Sequence, residues 1–355
     1  MSDYTELYKR YRPITWDDVV GQDKVVRSLI SAVKSEKVPS AYLFAGERGT
    51  GKTSVAKILA KAINCENPPK PGYPCNECAT CLDIDNGTQL GFSYISMANH
   101  GSVESVRSIV EDAQLSQPVR RPVIILDEIH NLSRAAFDAL LIPLESDMPT
   151  LFIMCSTEVH KVPSTVLSRS QQRSFRKLNA EEISSVLTRI AEGEGFELTD
   201  DMRHYCITRA KGSARDAVSA LEAALSSGVE NVGYGDTLLR ALREHDARQV
   251  MVSLACADAD SVPFEELTDQ LIEDVRSIYY HYVGLEEAAA GVCPIEDVSA
   301  FVDDLYGEPG VLHLLQQLLA ARGSMAPYTS IRAELELVLL RYISTLVKKD
   351  KAAKF

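Results

Sequence analysis

The chain has 355 residues, of which 45% are hydrophobic and 25% are charged, as in an ordinary globular protein of roughly two or three domains. Its formal net charge of −13 excludes a general polyanion binder, so any contact with DNA has to be local or shared with partner subunits. The polar, charged N-terminus is no signal peptide and no apolar run approaches the length of a membrane span, so we expect a cytoplasmic protein that does not contact a membrane.

The first informative element is a phosphate-binding loop. Residues 46–53 read G-E-R-G-T-G-K-T and match the P-loop pattern G-x-x-x-x-G-K-[ST] at every specified position. An apolar run over 41–45 predicts a strand before the loop, and apolar residues at helical spacing over 55–63 predict a helix after it. Glycines let the backbone wrap phosphates, and free N–H groups at a helix start point at the anion.

We therefore predict an ATP and Mg²⁺ site, with Lys52 on the β- and γ-phosphates and Thr53 on the metal. A tight glycine turn before an ordinary helix is the alternative, which the flanking strand and helix disfavour. The loop residues predicted to bind the nucleotide are Gly46, Gly49, Thr50, Gly51, Lys52, Thr53 and Ser54.

A cysteine cluster follows the predicted helix. Four of the eight cysteines have the spacing C-x₉-C-x₂-C-x₂-C, namely Cys65, Cys75, Cys78 and Cys81. Two overlapping C-x-x-C steps and one remote cysteine can close a tetrahedral thiolate site, and in a cytosolic chain such clustering favours metal over disulfides. No nearby carboxylate or histidine completes an open catalytic site, so we predict structural Zn²⁺, with four free thiols as the alternative. The other cysteines are predicted to fill the core, namely Cys155, Cys206, Cys256 and Cys293.

Three further strands are predicted over 92–96, 123–126 and 151–155, with helical patterns between them. Strands that alternate with helices indicate a parallel sheet covered on both faces. The strand over 123–126 runs into two acidic residues, Asp127 and Glu128. With a P-loop upstream, this pattern predicts that Asp127 binds Mg²⁺, directly or through water, and that Glu128 polarises the attacking water.

The pattern changes near residue 178. Asn179 and Glu182 resemble a capping box, and only helical periodicity follows. A glycine-containing break over 226–235 indicates a boundary. Arg215 falls in the first turn of a predicted helix, where the helix dipole disfavours a cation. A phosphate held there or an arginine exposed to solvent explains this position equally well.

These motifs, in this order, resemble the AAA+ ATPases, and most closely the bacterial clamp-loader subunits of the DNA polymerase III gamma/tau family. The cysteine insertion after the P-loop helix separates that family from most other AAA+ proteins. The resemblance is specific over about residues 8–220, and it is carried by the P-loop, the four cysteines and the segments at 11–13, 18–22, 41–44, 127–130, 132–134, 167–169 and 212–216.

The resemblance implies the fold class and the division of the chain. It implies an α/β P-loop (AAA+) domain over 1–178 that has a parallel sheet and an inserted zinc module over 64–82. An all-α lid over 179–228 and an all-α C-terminal collar over 229–355 would follow, and the collar would hold subunits in a ring.

The resemblance also implies roles for single residues. Tyr11, Arg12, Val19 and Val20 would line the adenine pocket. Ser156 or Thr157 would act as sensor 1, and Arg215 as sensor 2 would contact the γ-phosphate of the same subunit. Arg169 would be an arginine finger that reaches the ATP of the neighbouring subunit.

The implied activity is ATP-dependent opening of a sliding clamp and its loading at primer–template DNA. The partners would be other clamp-loader subunits, identical or homologous, together with the clamp and the DNA. A different AAA+ motor that processes DNA or remodels protein is one alternative. A scaffold that binds nucleotide only to assemble a replisome is another.

Three positions depart from the family pattern. The segment 97–102 contains no Lys or Arg where the family presents basic residues to DNA, which predicts fewer phosphate contacts. Ser170 replaces the usual cysteine, and Pro143 stands where the family tends to carry lysine and should kink or end its helix. A divergent member, for example a viral one, would carry such changes.

Overall fold

The computed structural model describes residues 6–88, 90–98, 101–114, 119–146, 148–227, 234–259, 262–285, 295, 297–323 and 331–353. The chain divides into two compact units. The first comprises Met1–Leu178 and Ser213–Arg215, and the second comprises Asn179–Gly212 and Asp216–Phe355. The predicted division into ATPase domain, lid and collar stays a prediction, and part of the predicted break over 226–235 lies outside the described residues.

The first unit contains a five-stranded parallel sheet in the order β2-β3-β4-β1-β5. This confirms the predicted parallel sheet with helices. In the register, Ala45 pairs with Ser156, and Ser96 pairs with Asp127. The strands are β1 (Ala41–Ala45), β2 (Phe92–Ser96), β3 (Val123–Asp127), β4 (Leu151–Ser156) and β5 (Gln171–Ser174).

Three central strands carry the apolar runs of the sequence because both of their faces are covered. Every residue of β3 and of β4 is buried, as are four of the five residues of β1. Alternate side chains pack into two clusters, one containing Tyr42 and Phe44 and the other containing Leu43. The carboxyl ends of these strands meet at one edge of the sheet, where the P-loop begins.

The edge strand β5 was not predicted. Its sequence, Gln171–Ser174, is polar, and its residues are exposed except for the half-buried Arg173. Backbone pairing with β1 holds it in place. Lys and other polar side chains at a sheet edge also discourage pairing with other chains, so a polar sequence suits this position.

The helices of the first unit surround the sheet, and 3-10 turns follow β3 (Ile129–Asn131) and β4 (Val159–Lys161). Pro143 lies in the last turn of its helix, which ends two residues later at Glu145. The helices are α1 (Leu7–Arg10), α2 (Asp23–Lys34), α3 (Lys52–Asn64), α4 (Ala79–Asn86), α5 (Val103–Gln114), α6 (Arg134–Glu145) and α7 (Ser164–Leu167).

From Asn179 onward, all described regular elements are helices, as predicted. The capping box of α8 is present, with both Asn179 and Glu182 making their reciprocal hydrogen bonds. The helices are α8 (Ala180–Glu194), α9 (Asp200–Ala210), α10 (Ala214–Ser227), α11 (Tyr234–Arg243), α12 (Ala247–Ala259), α13 (Phe264–Tyr282), α14 (Val298–Asp304), α15 (Glu308–Gly323) and α16 (Ile331–Ala353). Within the described residues, no helix combines the length and apolar character that a membrane span requires.

The second unit has its own core, to which α11 to α16 contribute. On α15, Val311, Leu314 and Leu318 are buried in this core, whereas Leu319 is exposed. Cysteine burial also differs at one position. Cys155 and Cys206 are buried as predicted, Cys256 is exposed, and Cys293 lies outside the described residues.

Candidate nucleotide and metal sites

The P-loop joins the end of β1 to the start of α3 and has a backbone that only glycine adopts easily. Gly49 has a φ of 75° and Gly51 a φ of 98°. A Cβ on Gly49 would lie 1.9 Å from Ser213 Oγ, so glycine is required there for space as well as for conformation. The backbone N–H of Ala214 donates to the carbonyl of Gly49 over 3.1 Å, which fixes the loop against the 213–215 segment.

Lys52 begins α3, and its side chain is buried inside the loop. Its Nζ donates to the carbonyl oxygens of Gly46 and Glu47 at 2.7 and 2.6 Å. Burial lowers the pKa of this ammonium, and the carboxylates of the site oppose that shift. The structure thus places a buried cation within the loop that would enclose the phosphates.

The predicted metal ligands lie together although 74 positions separate them. Thr53 Oγ1 donates to Asp127 Oδ2 over 2.9 Å. The residues come from the first turn of α3 and the last position of β3, which meet at the carboxyl edge of the sheet. A hydroxyl and a carboxylate are the hard oxygen ligands that Mg²⁺ prefers, so these residues fit that ion.

Tyr94 also contacts this carboxylate, and it was not predicted. Its hydroxyl donates to Asp127 Oδ2 over 2.8 Å. Burial and the charge of Asp127 raise the pKa of Tyr94. No pattern in the sequence identifies this contact, because it depends on the pairing of β2 with β3.

Glu128 follows Asp127 in a left-handed conformation, with a φ of 57°. This conformation is uncommon for a residue other than glycine and often occurs at functional sites. Its carboxylate Oε2 lies 3.1 Å from Nε2 of His130, and Glu158 Oε1 lies 3.6 Å from the same nitrogen. The predicted water-polarising carboxylate is therefore held by a histidine two residues further along the chain.

The end of β4 lies beside the start of the P-loop. The N–H of Gly46 donates to the carbonyl of Ser156 over 3.2 Å. The hydroxyl of Ser156 lies 3.5 Å from Nδ1 of His130, and Thr157 is half-buried. Ser156, one of the two sensor 1 candidates, thus contacts the loop, and Thr157 is the next residue along the chain.

The segment that precedes α2 contacts the first turn of α3, the helix that follows the P-loop. Nε of Arg12 donates to Ser54 Oγ over 3.0 Å. Tyr11, Val19 and Val20 are half-buried. These positions are compatible with an adenine pocket beside the first turn of α3.

Gln22, the last residue of the 18–22 segment, is also buried in this region. Its amide Nε2 donates to the carbonyl of Arg176 over 2.8 Å, and its Oε1 accepts from the N–H of Arg176 over 3.2 Å. The same Nε2 lies 3.5 Å from the carbonyl of Thr50. This side chain links the chain before α2 to the P-loop and to the residues after β5.

The two arginines predicted to sense ATP have different surroundings. Arg215 is exposed, and its guanidinium carbon lies 4.6 Å from the ring centre of Tyr8. Arg169 is also exposed, and it pairs with Glu145 Oε1 over 2.5 Å and donates to the carbonyl of Thr165 over 3.0 Å. Arg215 lies in the 213–215 segment, which is hydrogen-bonded to the P-loop through Ala214. The described partners of Arg169 lie instead on α6 and α7.

The four predicted metal-binding cysteines come together between α3 and α4. Their Sγ atoms all lie within 4.8 Å of one another. Cys65 caps the C-terminus of α3 and Cys78 the N-terminus of α4. Sulfurs around tetrahedral Zn²⁺ are about 3.8 Å apart, because Zn–S bonds are about 2.3 Å long, so the cluster fits this ion.

The thiols of the cluster differ in acidity. Burial raises the pKa of Cys75, but the backbone N–H groups of Glu77 and Cys78 outweigh it, and the pKa falls to about 6. Burial raises the pKa of Cys65 and of Cys81. Among the groups of His, Cys, Asp and Glu within the described residues, this cluster has the geometry of a metal site.

Similarity to known proteins covers the first unit and, for one relative, nearly the whole chain. A family model described as DNA polymerase III, delta subunit, matches residues 21–179. DNA polymerase III subunit tau of Bacillus subtilis is 39% identical over 238 residues, which is 66% of this chain and 42% of that protein. DNA polymerase III subunit tau of Salmonella typhimurium is 31% identical over 363 aligned residues, which is 96% of this chain and 56% of that protein.

This chain spans about half the length of these relatives. A solved structure, the Thermotoga maritima RuvB Holliday junction branch migration motor, has a TM-score of 0.46 and 17% sequence identity. It covers 82% of this chain and 90% of its own.

Proposed function

The chain belongs to the DNA polymerase III gamma/tau family, and on that premise we propose that it is the ATPase subunit of a sliding-clamp loader. It would use ATP binding and hydrolysis to open the clamp and load it at primer–template DNA in the cytoplasm. The observation that carries the proposal is the hydrogen bond of 2.9 Å between Thr53 and Asp127. It joins the two halves of a P-loop ATPase site at one edge of the sheet.

The chemistry follows from the positions of these side chains. Bound Mg²⁺ would supply Lewis acidity at the phosphates, held by Thr53 and Asp127. Lys52 would neutralise charge on the β- and γ-phosphates from inside the loop. Glu128 would accept a hydrogen bond from the attacking water and orient it in line with the γ-phosphate.

The arginines divide the work between subunits in this proposal. Arg215, next to the segment that bonds Gly49, would contact the γ-phosphate of its own subunit. Arg169 lies at the surface of the first unit, and its side chain stays exposed although it pairs with Glu145. It would leave that pair to reach the ATP of a neighbour, which makes hydrolysis depend on assembly of a ring.

The rest of the chain would serve assembly and stability. The helices over 179–228 would form a lid and those over 229–355 a collar that holds identical or homologous subunits together. The cysteine cluster would hold a structural Zn²⁺ in the module over 64–82. These assignments rest on the family resemblance, on the helical second unit and on the convergence of the four sulfurs.

Steady-state ATP hydrolysis tests the proposal. The purified chain is assayed with its partner subunits, with and without primer–template DNA and sliding clamp, and Lys52→Ala and Arg169→Ala are compared with wild type. We expect stimulation by DNA and clamp, near-complete loss in Lys52→Ala, and loss in Arg169→Ala with nucleotide binding retained. Removing one charged transition-state contact costs about 10³-fold in related enzymes.

Two results would contradict this function. An ATPase rate that DNA and clamp do not increase, or that is unchanged in Arg169→Ala, would mean that the chain has the family's fold without the loading activity. Binding of ATP without turnover in any assembly would favour the assembly scaffold. Arg173→Ala, which changes a neighbouring arginine on β5, is the matched control for Arg169→Ala.

A further inference from the structure

The carboxylate of Asp127 receives three hydrogen bonds, and they occupy both of its oxygens. Oδ2 accepts from Thr53 Oγ1 at 2.9 Å and from the Tyr94 hydroxyl at 2.8 Å. Oδ1 accepts from the backbone N–H of Glu128 at 3.0 Å. This arrangement fixes the rotation of the carboxylate about its bond to Cβ, and so fixes where its remaining lone pairs point.

Tyr94 reaches this oxygen from the neighbouring strand. In the β2–β3 register, Ser96 and not Tyr94 stands beside Asp127. Two residues of strand span about 6.6 Å, so the contact needs a long, stiff side chain with a hydroxyl at its end. Among the common side chains tyrosine meets that requirement, because it carries its hydroxyl on a rigid ring.

Packing does not account for the tyrosine. Tyr94 is 45% exposed, and it belongs to neither apolar cluster of the first unit. Its polar end is the part that makes a specific contact. A phenylalanine would cover the same surface without reaching Asp127.

Binding of Mg²⁺ would change the orientation required of the Thr53 hydroxyl, the other side-chain donor to Asp127 Oδ2. A Thr53 hydroxyl that ligates the metal directs an oxygen lone pair at the ion, and its proton then has to find an acceptor from the new orientation. The Tyr94 hydroxyl reaches Asp127 Oδ2 from β2 and is not one of the predicted metal ligands, so it needs no such change. It would remain as the side-chain donor that holds Asp127 Oδ2.

We propose that Tyr94 is a positioning residue for Mg²⁺, one that holds the Asp127 carboxylate in the orientation the metal or its bound water requires. The inference rests on the proposed ATPase site, because it assigns Asp127 to Mg²⁺. Tyr94 would act on the affinity for the ion through Asp127 and would touch neither the nucleotide nor the water.

Tyr94→Phe tests this, with the Mg²⁺ dependence of nucleotide binding as the readout. A fluorescent ATP analogue is titrated into the full chain at increasing Mg²⁺ and again in EDTA. We expect the Mg²⁺ concentration for half-maximal effect to rise at least about tenfold, as for the loss of one hydrogen bond to a charged group. Binding in EDTA and the Tm should match wild type. Tyr282→Phe, at an exposed tyrosine on α13, is the control for losing a phenol.

Each outcome decides the point. An unchanged Mg²⁺ dependence, or wild-type binding that does not respond to Mg²⁺, would overturn the role of Tyr94. An equal loss of binding with and without Mg²⁺, or a lower Tm, would also overturn it by showing a structural role. Because binding is measured and not turnover, the result stands apart from the loading assay. Failure of that assay alone would refute the clamp-loader function and leave Tyr94 judged on its own data.

Discussion

The imidazole of His130 lies between two carboxylates, with Nε2 3.1 Å from Glu128 Oε2 and 3.6 Å from Glu158 Oε1. Its other nitrogen faces the Ser156 hydroxyl at 3.5 Å, and the side chain is only 9% exposed. His130 therefore connects the carboxylate that would orient water with the end of β4. Because both ring nitrogens have partners, the imidazole is held in one orientation. Its Nε2 in turn fixes the position of the Glu128 carboxylate.

His130→Ala should slow hydrolysis and spare nucleotide binding. Without the imidazole, Glu128 loses a charge-assisted hydrogen bond, and the fraction of molecules with a well-placed carboxylate falls. Such a bond is worth roughly 1.5–3 kcal/mol, so we expect kcat to fall at least tenfold, with KM nearly unchanged. His160→Ala is the control, since His160 is exposed and its Nε2 lies 3.7 Å from the other carboxylate oxygen of Glu158, Oε2. Equal effects of the two substitutions would refute a specific role for His130.

Gly49→Ala should destabilise the apo protein more than Gly51→Ala. Both glycines have positive φ, so alanine carries a backbone strain of about 1–2 kcal/mol at either site. A Cβ at Gly49 would also collide with Ser213, whose Oγ and Cβ would be 1.9 and 2.9 Å away, whereas a Cβ at Gly51 meets nothing within 4 Å. We expect an additional loss of about 1–3 kcal/mol for Gly49→Ala.

Thermal unfolding of the two variants without nucleotide measures this difference. Adding Ser213→Gly to Gly49→Ala removes the side chain that the new methyl group meets, and should recover part of the lost Tm. The same change in the Gly51→Ala background should recover nothing. Equal Tm values for the two single variants would show that the loop and the 213–215 segment are not in close contact in solution.

Sequence patterns predicted the parts of the site that lie close together along the chain or that carry strong apolar signals. The P-loop, the central strands and the four cysteines belong to this class. The sequence did not predict β5, because its polar residues are placed by backbone pairing with β1. It also did not predict the contacts of Tyr94 with Asp127, of His130 with Glu158 and Ser156, and of Gln22 with Arg176. Their partners lie on other elements, so tertiary packing decides which of many polar residues enters the site.

The zinc-free protein should show one unusually reactive cysteine in the cluster. The thiolate is the species that is alkylated, and the pKa of Cys75 is about 6 because the N–H groups of Glu77 and Cys78 outweigh burial. Burial raises the pKa of Cys65 and Cys81, so these remain protonated at neutral pH. Above pH 6 Cys75 should react first with iodoacetamide, and its rate should fall as pH drops through about 6.

Mass spectrometry of protein treated with chelator and reductant locates the modified cysteine. Protein reconstituted with Zn²⁺ should contain about one ion per chain and resist alkylation at all four positions. Metal analysis that finds none, together with unchanged reactivity on adding Zn²⁺, would leave four free thiols. Cys256, which is exposed and outside the cluster, is an internal standard for ordinary thiol reactivity.

Tyr42→Phe should leave stability unchanged or raise it by up to about 1 kcal/mol. The side chain is fully buried in β1, and its hydroxyl has no hydrogen-bond partner among the residues that the structure describes. A buried hydroxyl without a partner costs about 1–3 kcal/mol of desolvation, which phenylalanine avoids while keeping the ring packed. The guanidinium of Arg173, 5.4 Å from the ring centre, can interact with a phenylalanine ring equally well.

Tyr342→Phe is the matched comparison, because this buried hydroxyl donates to the carbonyl of Gly310 over 2.9 Å. Its loss removes a hydrogen bond and leaves a buried carbonyl without that donor, which should cost about 1–2 kcal/mol. Urea unfolding of both variants measures the contrast, with far-UV circular dichroism as the signal. A destabilised Tyr42→Phe would show that the Tyr42 hydroxyl has a partner in solution, most simply an ordered water at the base of the sheet.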